Sequence, residues 1–509
     1  MLEWFLAVSI LIAAALFWPV SLYIASGRQS PVPLRASGSR ISEGQTRRPD
    51  RRVSCPAAAT GGEAEAVALT CKPSALARYL HRHCSTFGAL ATAPWWSWRA
   101  SPFLQTVAAA CWPSEGAVHF VRDHLQMGDG GLVALDWAVA GAPPPPRRRR
   151  TSSNNSANPV LLIIPSSFGK ITWNVLKLCD LGLSHGYVPV VFNRRGHNGT
   201  PLTTPRLQQF GDPADLREAV RYVRYRRPAA RLYAASESTG SGLLLSYLGE
   251  CGSSSYLTAA ACLSPVLRCQ AWYDSTPLWP YGWALLLYQK ICLSRAASID
   301  RYKTALGETI RTDAVFSCSS LRSLEEALFC QPELELKGAS VREGGGAEGG
   351  AGWEEYWESN EPLRDVDEVA VPVLCVCSRD DPVRGEPGAT LPFDLFRSNP
   401  HLFLLLTERG GHCGFSEPEG GAGVMGRAPW SHRALLEFFR GVTDFFAAEE
   451  RARVASLRRG LRGGAGGSSA VAVGNSRGFR NRSISTCKRL PTCSHSIHSI
   501  YSWQRSYTR

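Results

Sequence analysis

Between Pro159 and Leu263 the chain repeats one pattern, a short and fully apolar run followed by a longer stretch of helical periodicity. The apolar runs are Pro159-Val-Leu-Leu-Ile-Ile164, Tyr187 to Phe192, Leu232 to Ala235 and Leu257 to Leu263. Trp173 to Leu183, Asp212 to Tyr225 and Gly240 to Leu248 carry the helical spacing between them. A strand with no polar alternation is buried on both faces, and a parallel sheet covered by helices on both sides is the arrangement that buries several of them in succession. The expected class is therefore α/β, a mostly parallel central sheet with helices on both faces. Roughly Arg268 to Asp365 breaks the rhythm with Trp272, Tyr273, Trp279, Tyr281, Trp283 and Tyr288, and is expected to form a helical, aromatic cap inserted into the sheet. The sheet resumes at Val371 to Cys377 and Leu402 to Leu406, and a last helix is expected over about His432 to Glu449.

The 509 residues suffice for one large domain over about 71–449 with appendages. Residues 26–70 read as a basic low-complexity linker, 450–509 as a basic tail without a fold, and 141–158 and 338–352 as disordered loops within the domain. The net charge of +13 is concentrated in these appendages. Residues 451–509 hold 12 basic and no acidic residues, 28–52 hold 7 basic and 2 acidic, and Arg147 to Arg150 add four more. The rest of the chain is net acidic, which excludes a nucleic-acid-binding domain. Sixteen cysteines are too dilute for a disulfide scaffold, and Cys179, Cys262, Cys375 and Cys377 lie in apolar runs as buried thiols. No spacing of cysteine and histidine completes a metal site.

Trp4 to Ala25 is 22 residues without a charge, long enough for a bilayer of about 30 Å. The reading is a single-pass membrane anchor in the endoplasmic reticulum. Arg28, Arg35, Arg40, Arg47 and Arg48 follow it and place the body on the cytosolic side. A cleaved signal sequence with a secreted body is the alternative.

Three residues follow three of the apolar runs in an order that carries chemistry. Ser238 stands in Ser236-Glu237-Ser238-Thr239-Gly240, where small residues two before and two after a serine permit a sharp strand-to-helix turn that exposes its hydroxyl. Asp380 follows the run ending at Cys377, with Asp381 as the alternative acid, and His412 follows the run ending at Leu406. A histidine that removes the serine proton, oriented by a carboxylate, makes a nucleophile of Ser238. The backbone N–H groups of Thr239 and Ser167 are the expected oxyanion donors.

Longer stretches resemble a known family. Phe103-Leu-Gln-Thr106, Asp129-Gly-Gly-Leu-Val-Ala-Leu-Asp-Trp137, and Asn193-Arg-Arg-Gly-His-Asn-Gly199 followed by Leu202-Thr-Thr-Pro-Arg-Leu207 are similar to motifs of the membrane-associated α/β-hydrolases that include YheT-like esterases. The resemblance implies an α/β-hydrolase fold, a Ser238, Asp380 and His412 triad, and no cofactor. It implies hydrolysis of acyl esters in acylglycerols or phospholipids at a membrane surface. Three positions depart from the pattern. Ser236 replaces a glycine of the elbow, Pro165-Ser166 replaces His-Gly beside the oxyanion donors, and Glu237 brings a carboxylate next to the nucleophile. They motivate a second expectation, a weak or inactive hydrolase fold that regulates lipid metabolism and lipolysis through a protein partner. Ser485, preceded by Arg480 and Arg482, fits a phosphorylation site in the basic tail.

Overall fold

A computed structural model of the chain describes residues 64–91, 100–111, 118–140, 158–275 except 168, 170 and 205, and then 281–297, 312–330, 351–416 and 428–463. Its centre is one nine-stranded sheet. The strands in chain order are β1 (Ala68–Thr70), β2 (Val118–Gln126), β3 (Leu132–Ala140), β4 (Val160–Ile164), β5 (Val188–Asn193), β6 (Leu232–Glu237), β7 (Leu257–Leu263), β8 (Val373–Ser378) and β9 (Leu402–Thr407). Across the sheet they run β1-β9-β8-β7-β6-β4-β5-β3-β2. The strands from β9 across to β5 are parallel, and antiparallel pairing at β1, β3 and β2 completes the sheet.

The apolar runs form the parallel strands for the reason their composition gives: both faces are dry. Val160, Leu162 and Ile164 pack on one face with Leu216, Val220 and Leu243, from the helices α4 and α5 described below. Leu161 and Ile163 pack on the other face with Val175, Leu178, Phe438 and Phe439. The helices that cover the sheet are α1 (Ala75–His83), α2 (Pro102–Cys111), α3 (Trp173–Ser184), α4 (Ala214–Arg226), α5 (Gly240–Cys251) and, after the cap, α11 (Trp430–Gly463).

The cap enters between β7 and β8 as α6 (Cys269–Asp274), α7 (Tyr281–Ala297), α8 (Thr312–Ser317), α9 (Leu321–Phe329) and α10 (Ala351–Asn360). It has its own core, in which Phe210, Trp272, Tyr273, Leu324, Trp353 and Trp357 are buried together. Phe210 and Tyr273 each approach Trp357, with ring centroids 5.4 and 5.3 Å away. The Tyr356 hydroxyl accepts from the Phe210 amide at 3.1 Å and Asn360 Oδ1 from the Gly211 amide at 3.0 Å, so the cap is pinned to the loop ahead of α4.

Three expectations are corrected. Residues 68–70, read as linker, form β1, because the edge of β9 takes an antiparallel partner there, with Leu69 opposite Leu405. The last helix runs on to Gly463, well past Glu449. Good helix formers continue there, with Arg451 Nε donating to Ala447 O at 3.0 Å and Arg453 facing Glu450 at 3.4 Å. The single-pass membrane protein is not carried forward either: among the described residues no helix is long and apolar enough to cross a membrane. The segment 4–25, the loop 141–157, residues 338–350 and Ser485 lie outside the described residues. Cys179, Cys262, Cys375 and Cys377 are buried free thiols.

Candidate active site

Parallel strands joined by helical crossovers all end at the same edge of the sheet, and β6, β8 and β9 bring Ser238, the Asp380-Asp381 pair and His412 to that edge. Ser238 sits in the turn between β6 and α5 at φ 52°, the left-handed region that a non-glycine residue adopts under strain. Its amide donates to Leu263 O at 2.8 Å, which ties the strained residue to β7 and leaves the half-buried hydroxyl facing out of the turn.

The turn needs its small residues. A Cβ on Gly240 would stand 2.2 Å from Pro165 O and 2.9 Å from Ile164 O, so α5 approaches the end of β4 at a distance only glycine tolerates. Ser236 is buried at the other side of the elbow, opposite Ile164 of β4 and Cys262 of β7, and its Oγ has no partner among the described residues. Glu237 does not face the nucleophile. Its carboxylate accepts from Thr172 Oγ1 at 2.9 Å, at the positive end of α3.

The Ser238 hydroxyl lies 2.7 Å from His412 Nε2. His412 Nδ1 lies 2.8 and 3.0 Å from the two oxygens of Asp381. A carboxylate only accepts, so the proton stands on Nδ1 and Nε2 is free to receive one. Asp380 was the expected acid, and this is corrected: Asp380 Oδ1 accepts from the Gly411 amide at 2.9 Å, and its neighbour takes the histidine. Asp381 accepts from the amides of Val383 and Arg384, both at 2.9 Å, with Arg384 Nε 3.8 Å away. Burial pushes the Asp381 carboxyl up, but the charge and hydrogen bond of His412 with Arg384 outweigh it and hold the group below its usual range. Burial leaves the Asp380 carboxyl raised, the Gly411 N–H offsetting it only in part.

The His412 loop is propped from α2. The His412 amide donates to Thr106 Oγ1 at 2.9 Å, the Ser416 amide donates to Gln105 Oε1 at 3.0 Å, and a Cβ on Gly411 would stand 2.5 Å from Pro102 O. This gives the Phe103-Leu-Gln-Thr106 stretch its function in the fold. The paired glycines 410 and 411 were a signal of close backbone approach, but nothing in their spacing identified α2 as the neighbour.

The two residues expected to supply the oxyanion donors are adjacent, and the Ser167 amide is already engaged with the Thr239 side chain. Ser167 N donates to Thr239 Oγ1 at 3.0 Å, and Ser167 Oγ lies 2.7 Å from the same oxygen. Thr239 is fully buried at the first turn of α5, whose N-terminal N–H groups favour developing negative charge. The sequence reading missed the Thr239 side chain and the Arg195 network beneath the site. Arg195 holds Asp215 at 2.6 Å and Asp129 at 2.6 Å, and so anchors the loop after β5 to α4 and to the turn ahead of β3.

Protein ABHD15 of Homo sapiens is 47% identical to this chain over 441 residues, covering 87% of this chain and 85% of that protein. The chain belongs to the α/β-hydrolase family, close to ABHD15. Phospholipase ABHD3 of Mus musculus is 29% identical over 346 residues, which is 67% of this chain and 76% of that protein. A monoacylglycerol lipase of Saccharomyces cerevisiae is 26% identical over 274 residues, 52% of this chain and 56% of that one. No family model matches. Among solved structures, the Pyrococcus furiosus esterase Pf2001 aligns at a TM-score of 0.33 and 12% identity over 58% of this chain and 85% of its own. The Pyrococcus horikoshii acylaminoacyl peptidase aligns at 0.37 and 14% identity over 64% of this chain and 42% of its own. With scores this low, family membership stands on ABHD15 alone.

Proposed function

We propose that this member of the family is a serine hydrolase of lipid acyl esters, with Ser238 as nucleophile, His412 as base and Asp381 as the acid that orients it. The observation that carries the reading is the unbroken hydrogen-bond chain from Ser238 Oγ through both nitrogens of His412 to Asp381. In the first step the Ser238 oxygen attacks the ester carbonyl and its proton passes to Nε2. Asp381 stabilises the imidazolium through Nδ1–H. The imidazolium gives that proton to the leaving alcohol, and water, deprotonated by the same nitrogen, releases the fatty acid. The Thr239 amide is one oxyanion donor, and the Ser167 amide becomes the second when the Thr239 hydroxyl turns away from it. The names of two relatives, a phospholipase and a monoacylglycerol lipase, agree with an ester of a lipid.

One observation favours a second reading. With Ser167 N–H donating to the Thr239 hydroxyl, the oxyanion site is half occupied from within. A hydrolase fold held in that state acts through a protein partner rather than through turnover, as a regulator of lipid metabolism.

The test is fluorophosphonate labelling of the full chain beside Ser238→Ala. Stoichiometric labelling that the substitution removes is the expected result. No labelling of a folded sample overturns the hydrolase reading in favour of the regulator.

A further inference from the structure

The loop that follows β5 passes beneath the cap, and there the described residues surround a cavity of about 100 Å³. Arg194, His197 and Ser167 line it from the sheet side, and Gln289, Glu325 and Leu293 from the cap side. A cavity of about 150 Å³ takes a benzene ring, so this one fits a group the size of a phosphate rather than an acyl chain.

Arg194 is only 5% exposed, and its Nε and Nη2 have no hydrogen-bond partner among the described residues. The contrast with its neighbour is direct, since the Arg195 guanidinium is bound by two carboxylates. His197 Nδ1 and Gln289 Oε1, on the same cavity, are likewise without partners among the described residues. Glu325 lies on the cap wall, where its carboxylate accepts from the Tyr356 hydroxyl at 2.6 Å, and it attracts Arg194 through space without a hydrogen bond to its Nε or Nη2. Burial pulls Arg194 down to about 10, which still leaves it charged at neutral pH. A buried guanidinium without a hydrogen-bonded counter-ion is expensive, and the open space beside its free Nε and Nη2 is where an anion fits.

We infer that this cavity is an oxyanion subsite that receives the phosphate of the acyl-ester substrate, with Arg194 as its cationic anchor. Nε–H and Nη2–H form the edge of the guanidinium that takes two oxygens of one anion side by side. His197 donates to a third oxygen through Nδ1–H, and the Gln289 amide, turned about, donates through its nitrogen. Ser167 joins the cavity to the elbow, because it lines the one and bonds the Thr239 hydroxyl beside Ser238 in the other. A phosphate here therefore leaves a short linker to place an ester carbonyl at Ser238. The headgroup part of the inference rests on the hydrolase reading, and the anion site does not.

The test is binding, measured by calorimetry on full-length Ser238→Ala protein, with inorganic phosphate, monohexanoylglycerol and hexanoyl lysophosphatidate as probes. Hexanoyl lysophosphatidate is expected to bind at least about tenfold more tightly than either other probe, as one charge-assisted hydrogen-bond pair supplies. Arg194→Met is expected to abolish that advantage. Leu293→Trp, which fills the cavity from the cap without touching the charge, is expected to do the same and decides the matter if Arg194→Met does not fold. Equal binding of the phosphorylated and neutral acyl probes, or an advantage that survives the substitutions, overturns the subsite. Inorganic phosphate binding as tightly as the acylated probe overturns the headgroup assignment. Because the serine is absent, a failure of fluorophosphonate labelling leaves these outcomes untouched.

Discussion

Asp381 presents both carboxylate oxygens to His412 Nδ1, at 2.8 and 3.0 Å, while Asp380 beside it turns to the Gly411 amide. One residue of register separates the group that orients the imidazole from the group that fixes the loop carrying it. The two aspartates thus act on the same loop in different ways, Asp381 through the His412 ring and Asp380 through the backbone N–H of the preceding Gly411.

Substitution separates the two. Asp381→Asn keeps the shape but offers an amide where the imidazole needs an acceptor, and the fluorophosphonate labelling rate is expected to fall on the order of 10⁴-fold. Asp380→Asn keeps an acceptor for the Gly411 amide and is expected to change the rate by less than about tenfold. Equal losses from both, measured as second-order labelling rates, would remove Asp381 from its assigned role.

Thr239→Ala deletes the hydroxyl that occupies the Ser167 amide. The expected outcome is a gain in labelling rate of about two- to tenfold, the net strength of one hydrogen bond released to the oxyanion. A rate that drops instead would show that the Ser167 amide does not serve the oxyanion.

Gly240→Ala places a methyl group 2.2 Å from Pro165 O and 2.9 Å from Ile164 O, both backbone oxygens that cannot swing aside. A loss of about 1–3 kcal/mol in denaturant unfolding is expected, with labelling impaired. Gly128→Ala, where nothing lies within 4 Å, is the matched control and is expected to leave both unchanged.

Stability is expected to depend on pH through Glu325. Burial pushes its folded pKa up to about 7 from an ordinary 4.5, so the unfolded chain ionises first as pH rises. The contribution of Glu325 is whole below 4.5 and is lost as pH rises through about 7, at up to about 1.4 kcal/mol per pH unit. His197, held down to about 4 by burial and by Arg194, acts in the opposite sense and destabilises as pH falls below 6.5. The check is the difference between wild type and Glu325→Gln in unfolding free energy from pH 5 to 8, which cancels the histidines. A pH-independent difference would contradict the buried, ionisable Glu325.

The apolar runs by themselves determined the sheet, because a strand with no polar face has to be covered on both sides, and helical crossovers of that length return each strand parallel to the last. That direction brings the residues after β6, β8 and β9 to one edge, so Ser238 and His412 were legible from chain order alone. The choice between Asp380 and Asp381 was not. Adjacent residues in a turn point different ways, and which one meets the imidazole depends on a loop 31 residues further on. The same holds for β1, whose three residues are a strand only because β9 has a free edge there. Arg194 and Arg195 stand side by side in the sequence, but only the packed structure gives carboxylates to one and an open cavity to the other. Burial, partner and void are properties of the assembled layers, and a local pattern of residues does not contain them.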